Sequence, residues 1–257
     1  DALHLGRFTP DDAAKGTALR LLPGALPEDA KRRKAEKPDF EILLALPPFD
    51  TCPEGALLAL GSGSAPQRRR GVLLPFRGGG CDAPRVCDFS PLFERLETAI
   101  SELNLEGAAL AGDRALLLQR GNGSDGRNAV VELDRAALLE ALGSGGPIPA
   151  SVLRGLRDVP LGALEGVPLG FTDGAGLADG SVLFTAAAEA GGSTWHDGAC
   201  PGSVVGMLTP SLELAWLRPV DVVTKLEGIA RAGDGTLYLV ADADDPARPA
   251  ALYRARL

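Results

Sequence analysis

The sequence predicts an all-β fold, a five-bladed β-propeller built of four-stranded antiparallel blades with short helical inserts. Three observations lead to this prediction: a segment that recurs along the chain, the many turns between short apolar strands, and the number of strands. The 33 glycines and 20 prolines of the 257 residues are scattered rather than periodic, as many turns require. We therefore expect residues 1–257 to form a single propeller domain.

The recurring segment is an acid-glycine pair, a short strand, an Asp/Gly turn and a strongly apolar strand. It occurs at residues 105–118, 172–184 and 226–239, and a looser copy with an inserted loop occupies residues 40–60. The acids Glu41, Glu106, Asp173 and Glu227 follow one another at intervals of 65, 67 and 54 residues. These intervals exceed the roughly 40–50 residues of common propeller repeats, and we attribute the excess to inserts.

Two of the inserts are expected to be helices, over residues 90–96 and 134–142. The first begins with a serine cap and a proline at the first helical position. A third region, Gly121–Gly126, matches the G-x-G-x-x-G dinucleotide fingerprint. That motif requires a helix after the glycines, whereas residues 128–134 have the alternation of a strand, so we predict a hairpin and no nucleotide site.

Counting strands indicates seventeen, three fewer than five complete blades contain. The chain start supplies two strands and the last repeat three, so we expect the first blade to be incomplete at the N-terminus. Roughly 25–35 further residues upstream would hold three strands of ordinary length. The innermost strands should include residues 108–110, 175–177 and 229–231.

Charge and cysteine content exclude several classes of protein. A formal net charge of -8 argues against nucleic-acid binding, and no apolar run is long enough for a membrane helix. Four cysteines without a C-x-x-C pair, and only two histidines, disfavour structural zinc. Cys81 and Cys87 either close a small disulfide loop, typical of a periplasmic or secreted protein, or are ordinary thiols of a cytoplasmic one. The compartment stays open, and we expect a monomer.

The candidate site lies on the propeller face that carries the loops between the second and third strands of each blade. The repeat acids open the innermost strands on that face, where oxygen ligands from several blades could bind Ca²⁺. The alternative is that each carboxylate accepts backbone N–H bonds at its own blade junction. Glu106, Asp173 and Glu227 are therefore candidate metal ligands. The candidate ligand-binding residues are Arg69, Arg120, Asn122, Glu189, Asp242, Asp245 and Arg248.

The arginines of this set could grip an anion such as phosphate or carboxylate, or could pair with nearby acids. Nucleophilic catalysis has weak support, because no G-x-S-x-G motif occurs and His196 is the only histidine on the candidate face. A metal-dependent hydrolase that uses a cation-bound water would need no histidine.

Several motifs resemble those of a known protein family: L-N-L-E-G-A (103–108), L-L-Q-R-G-N (117–122), G-F-T-D-G-A (170–175), K-L-E-G-I (225–229) and the tail at 240–250. The chain is similar to a bacterial β-propeller family of unknown function. It also resembles, more distantly, the phytase-like propellers with esterase-like activity. The resemblance implies a propeller fold and, through the second group, hydrolysis.

Two functions from different classes follow. One is a metal-assisted hydrolase of phosphoesters or related esters. The other is a non-catalytic propeller that binds a small molecule, an anion or a protein partner at the same site on that propeller face. Fold alone does not separate them.

Overall fold

The computed structural model describes residues 3–9, 12–190, 200–242 and 248–256 of the chain. The described residues are mostly strands with few helices, so the all-β prediction is confirmed. They form two compact units, residues 1–103 with 136–152 and residues 104–135 with 153–257. Of the helices in the described ranges, none has the length and apolar composition needed to cross a bilayer.

The first unit contains one twisted sheet, one hairpin and the helices. Its elements are β1 (His4–Thr9), β2 (Asp12–Arg20), α1 (Ala30–Glu36), β3 (Phe40–Leu46), β4 (Ala56–Gly61), β5 (Arg70–Arg77), β6 (Gly80–Cys81), β7 (Arg85–Asp88), α2 (Ser90–Glu97) and α3 (Arg135–Ser144). The sheet has the order β3-β4-β5-β6, and β7 also pairs with β5. The two helices predicted from sequence correspond to α2 and α3. Helix α2 buries three apolar residues, Leu92, Phe93 and Leu96.

The second unit contains three consecutive antiparallel sheets. Its strands are β8 (Leu105–Ala111), β9 (Arg114–Gln119), β10 (Ala129–Asp134), β11 (Leu153–Asp158), β12 (Ala163–Leu164), β13 (Val167–Gly176), β14 (Val182–Ala188), β15 (Gly202–Leu208), β16 (Leu214–Pro219), β17 (Lys225–Arg231), β18 (Leu237–Asp242) and β19 (Ala251–Ala255). The sheets are β8–β11, β12–β16 and β17–β19, each with its strands in chain order. Strands β9 and β10 form the predicted hairpin around the glycine-rich loop.

The prediction of five blades is wrong in its number. Within the described residues, four sheets have the blade-like meander: β3–β7, β8–β11, β12–β16 and β17–β19. The two N-terminal strands form a two-stranded sheet in which β1 pairs with β2, as the strand count expected of the chain start. Within the described residues, β1 and β2 pair only with each other, so they do not complete a fifth blade.

One strand of each of the four sheets carries a β-bulge: the first strand in three of them and, in the fourth, β13, which follows the short strand β12. The pairing register shifts between Phe40 and Ile42 in β3, between Leu105 and Gly107 in β8, between Phe171 and Asp173 in β13, and between Leu226 and Gly228 in β17. The residues at the bulge are Glu41, Glu106, Thr172 and Glu227. The repeat therefore aligns Thr172, and not Asp173, with the glutamates. A bulge adds one unpaired residue and re-aims its side chain.

Glycines allow the inner strands of the second unit to approach closely. A Cβ on Gly107 of β8 would lie 2.5 Å from the Cα of Asp173 in β13, and one on Gly176 would lie 1.8 Å from the carbonyl oxygen of Leu110. Backbone proximity thus explains the glycine of the first of these acid-glycine pairs, Glu106-Gly107. Behind these strands lies an apolar core in which Phe171 packs edge-to-face on Phe184, with ring centroids 4.9 Å apart.

Candidate functional site

Five charged side chains of the second unit form a continuous network, which we call the charge network: Glu106, Arg120, Glu189, Lys225 and Glu227. Arg120 donates from Nη1 to Glu106 Oε2 at 3.1 Å and from Nη2 to Glu189 Oε2. Lys225 Nζ lies 2.9 Å from Glu227 Oε1 and 3.7 Å from Glu189 Oε1. All but Glu227 have less than a tenth of the side chain exposed, so solvent screens these ion pairs weakly.

The strands explain why these residues meet. Glu106 and Glu227 occupy the bulges of β8 and β17, and Lys225 opens β17. Arg120 directly follows β9 and Glu189 directly follows β14, and each of these strands pairs with a bulged strand, β8 or β13. The paired strands run antiparallel, so the start of one and the end of the other share an edge of the sheet. The network is thus assembled by strand ends from three sheets.

The network holds three acids and two bases, and this surplus of negative charge is reflected in the proton affinities. Burial by itself would lower the pKa of Arg120, but the charges of Glu106 and Glu189 raise it on balance. Burial likewise acts to lower the pKa of Lys225, and the charge of Glu227 outweighs it. Burial, with repulsion from Glu106, raises the pKa of Glu227 to about 7 despite the ion pair with Lys225. Glu227 therefore exchanges a proton near neutral pH.

Asp173 binds backbone rather than a charged partner. Its carboxylate accepts N–H bonds from Ala108 of β8, from Gly174 of its own strand and from Ile229 of β17, the last at 2.9 Å from Oδ2. Burial raises its pKa to about 7, although the three N–H donors and the nearby Glu227 act on it as well. Asp173 therefore has the role that is the alternative to metal binding: its carboxylate accepts backbone N–H bonds and connects three inner strands.

A cavity of about 450 Å³ opens beside the network. Arg120 and Glu189 line it, together with Asn122, Ser124 and Asp125 of the loop between β9 and β10. Five glycines line the rest of its polar wall, Gly121, Gly123, Gly126, Gly166 and Gly170, so backbone groups are accessible from the cavity. Its size is that of an ordinary small-molecule site. The cavity and the network together make the candidate ligand pocket.

Buried amides hold the walls of this pocket in place. Asn128 Oδ1 accepts the N–H of Gly121 at 2.8 Å and that of Phe171 at 3.2 Å, while Nδ2 donates to the Leu169 carbonyl at 2.7 Å. Asn104 donates from Nδ2 to Glu106 Oε1 at 2.7 Å and to Asn122 Oδ1 at 3.2 Å. The glycine-rich loop is therefore fixed to β13 on one side and to the charge network on the other.

Gly170 makes room for the central arginine. A Cβ at this position would lie 2.8 Å from Cγ of Arg120. Nε of Arg120 is buried and has no hydrogen-bond partner among the described residues, while both terminal nitrogens bind carboxylates. Arg120 thus presents its guanidinium edges to acids of the protein rather than to the cavity.

The other predicted ligand-binding residues are distributed as follows. Asp242 ends β18 opposite Lys225 in the pairing register, at the same edge of the sheet as the network. Arg248 is exposed beyond that strand, and Asp245 lies outside the described residues, as does His196. In the first unit, Arg69 binds Glu97 at 2.5 Å and Glu94 at 3.6 Å, which is the salt-bridge alternative for the arginines.

Each of the three candidate calcium ligands is already bonded to other groups of the protein in this arrangement. Glu106 already binds Asn104 and Arg120, Glu227 binds Lys225, and Asp173 accepts backbone N–H bonds. No group of three or more His, Cys, Asp or Glu side chains in the described ranges is arranged to hold a metal ion. Buried Arg120 and Lys225 stand where a cation would otherwise balance the acids.

Sequence reasoning missed Lys225 and Asn104, although the repeat contains a signal for both. Each lies two residues before the bulge glutamate of its strand, Asn104 before Glu106 and Lys225 before Glu227. It also missed Cys200, whose pKa is raised by burial and which feels the charges of Glu189 and Lys225.

Two solved structures are distantly similar to the chain. One structure, described as a "putative gluconolactonase", has 16% sequence identity and a TM-score of 0.40, and covers 86% of this chain. The chain spans 61% of the length of that structure. A second, a hypothetical protein from Leishmania major, has 11% identity and a TM-score of 0.32, with 82% of this chain and 88% of the other covered. No curated protein matches the sequence of this chain.

The model of one protein family matches the sequence over residues 33–246, which contain the whole charge network and the pocket. The predicted resemblance to a family of unknown function is thereby confirmed, whereas a bacterial origin and a link to the phytase-like propellers find no support in these comparisons. The chain belongs to the family of unknown function DUF6910.

Proposed function

We propose that the protein binds a small polar molecule in the candidate ligand pocket, and that this ligand is neutral or positively charged. The observation that carries the proposal is the charge network directly at the cavity wall, where Arg120 and Glu189 belong to both. Buried ion pairs cost desolvation energy and are weak contributors to stability, so a network of five needs another explanation. A ligand site is the explanation that the adjoining cavity supports.

The sign of the charge argues against the anion expected from the sequence. The charged residues at the cavity wall are Arg120, Asp125 and Glu189, one base and two acids. Both terminal nitrogens of Arg120 are already bound to carboxylates, so its charge is balanced before any ligand arrives. Accessible backbone groups, the Asn122 amide and the Ser124 hydroxyl suit hydroxyl or amine groups. Polyols, sugars and primary amines are therefore the proposed class.

Isothermal titration with a panel of monosaccharides, polyols and primary amines tests the proposal, with inorganic phosphate and sulfate for comparison. Heat of binding from a neutral or cationic compound, abolished in an Asp125→Ala, Asn122→Ala double variant, is the expected result. Tight phosphate binding with no response to the other classes would contradict it. Asp158→Ala is the matched control, because Asp158 pairs with Arg127 at the surface of the same unit.

A second candidate is the hydrolase of phosphoesters or related esters, which one observation favours. Glu227 has a pKa raised to about 7 and connects through Lys225 to Glu189 at the cavity wall. A carboxyl group that titrates near neutral pH is suited to general acid or base catalysis. Assistance by Ca²⁺, with Glu106, Asp173 and Glu227 as ligands, belongs to this candidate as a further prediction.

A screen of chromogenic esters and phosphoesters, with and without added calcium, separates the two candidates. Turnover that is lost in Glu227→Gln favours the hydrolase, and dependence on calcium would support the metal part. Ligand binding without turnover favours the non-catalytic function. Turnover and ligand binding are both functional readouts, which a correctly folded protein without either function would not show.

A further inference from the structure

A second chemical site lies in the first unit, around two buried cysteines. Cys52 is completely buried in the turn before β4, where it exchanges two backbone hydrogen bonds with Phe49. Cys87 is buried in β7. Neither sulfur is bonded to another, and the exposed Cys81 is free as well.

Arg85 connects the two thiols. Its Nη2 donates to Cys52 Sγ at 2.9 Å and to Thr51 Oγ1 at 3.2 Å. Arg85 and Cys87 are two residues apart on β7, and alternate residues of a strand point to the same face. Because the Arg85 side chain contacts Cys52, the Cys87 side chain lies on the face of β7 that is directed toward Cys52. The charge of Cys52 indeed contributes to the raised pKa of Cys87, for which burial is the main cause.

A cavity of about 500 Å³ lies beside this group. Thr51 and Pro53, the two neighbours of Cys52 in the chain, line it together with Arg85, Glu54 and Phe76. Arg85 thus stands between the cavity and the sulfur of Cys52. Its Nε is buried without a hydrogen-bond partner among the described residues.

We propose that Cys52 and Cys87 are a thiol pair that a hydroperoxide entering this cavity oxidises to a disulfide. In the first step the sulfur of Cys52 attacks the peroxide: an S–O bond forms, the O–O bond breaks, and the leaving oxygen takes the thiol proton. Cys52 becomes a sulfenic acid and the hydroperoxide is reduced to an alcohol, or to water if it is hydrogen peroxide. In the second step the Cys87 sulfur attacks that of Cys52, the S–O bond breaks and water leaves with the Cys87 proton.

The two cysteines have different roles in the proposed reaction. Arg85 stabilises the negative charge that develops on the sulfur it contacts, so Cys52 attacks first. Cys87, which donates weakly to the Arg85 carbonyl at 3.8 Å, resolves the sulfenic acid. The bond would join the turn between β3 and β4 to β7 of the same sheet.

Treatment of the intact protein with hydrogen peroxide tests this, followed by alkylation and mass spectrometry. We expect a loss of two hydrogens in mass and a peptide that links Cys52 to Cys87. In Cys87→Ser, Cys52 should instead accumulate as a sulfenic acid that a 1,3-dione probe captures. A Cys81→Ser, Cys200→Ser double variant should behave as the parent does.

Arg85→Ala supplies a separate readout, because it should slow oxidation of Cys52 several-fold and leave that of exposed Cys81 unchanged. A link between any other pair of cysteines, or oxidation of Cys52 at a rate no faster than that of Cys81, would overturn the proposal. Equal rates in the parent and in Arg85→Ala would remove the assigned role of the arginine.

Discussion

Gly107 lies so close to Asp173 that the inner strands β8 and β13 are in backbone contact at this point. A Cβ on Gly107 would lie 2.5 Å from the Asp173 Cα and 2.9 Å from its carbonyl carbon. Such an approach leaves room for no side chain, and both neighbours are backbone atoms that cannot rotate away.

Gly107→Ala should therefore destabilise the second unit by about 1–3 kcal/mol, the range for overpacking of a filled interior. Urea denaturation measures the change. Gly233→Ala is the control, because no atom lies within 4 Å of a Cβ there. Equal stability of the two variants would show that β8 and β13 are farther apart than described.

The pH dependence of stability should report the two carboxyl groups with raised pKa. Asp173 and Glu227 have pKa values near 7 in the folded chain, well above those of an unfolded chain. At a pH between the unfolded and the folded pKa, the folded state therefore binds more protons than the unfolded state. Their contribution is fully present below about pH 4 and is lost as the pH rises through about 7. Glu227→Gln should flatten the decline between these values. Asp234→Asn should leave it unchanged, because the hydrogen bonds from Thr236 lower the pKa of Asp234 instead.

Loss of the central arginine should cost far more than loss of a comparable arginine elsewhere in the unit. Arg120→Met leaves Glu106 and Glu189 buried without their main partner, which we expect to destabilise by about 3–5 kcal/mol. Arg114→Met, which removes a more exposed pair with Glu132, should cost about 1 kcal/mol or less. Chemical denaturation of both variants measures the difference, and similar losses would mean that the network is screened by solvent.

Asn128 should govern the shape of the pocket as well as stability. Asn128→Ala leaves the N–H of Gly121 and of Phe171 without an acceptor, at a cost of about 1–3 kcal/mol. The glycine-rich loop should then exchange its amide hydrogens faster, which hydrogen-exchange mass spectrometry over residues 120–127 measures. Unchanged exchange together with lower stability would assign Asn128 to the core alone. Ser124→Ala, a change in the same loop, is the control.

Much of the strand order followed from sequence because apolar alternation and glycine turns are local signals. The hairpin of β9 and β10 was predicted from the strand pattern after Gly126, against a nucleotide motif that would have required a helix. The expected inner strands fall within β8, β13 and β17, except that β13 ends at Gly176, one residue short of Leu177.

The bulges could not be predicted from apolar pattern, since an added residue leaves the strand apolar on both sides. A spacing signal was nevertheless present: seven residues separate Glu106 from Asp113 and Glu227 from Asp234, whereas six separate Asp173 from Asp179. Counting from Thr172 restores seven, and the register of β13 has its bulge there. Four of the five residues of the charge network were candidate site residues from sequence and Lys225 was not. The ion pair between Arg120 and Glu189 could not be predicted, because it joins strand ends that lie 69 residues apart.

The repeated bulge gives each inner strand one position that lies outside the alternation of its two faces. Along a regular strand, a polar replacement at a residue that faces the core would disrupt the apolar face. At positions 41, 106, 172 and 227 the side chain is exempt from that alternation, and the strand pairs in the same way whether it carries a carboxylate or, as at Thr172, a hydroxyl. Chemistry at these four positions can therefore diverge between members of the family without altering how the sheets are built, which makes them the first positions to compare when ligand preferences differ.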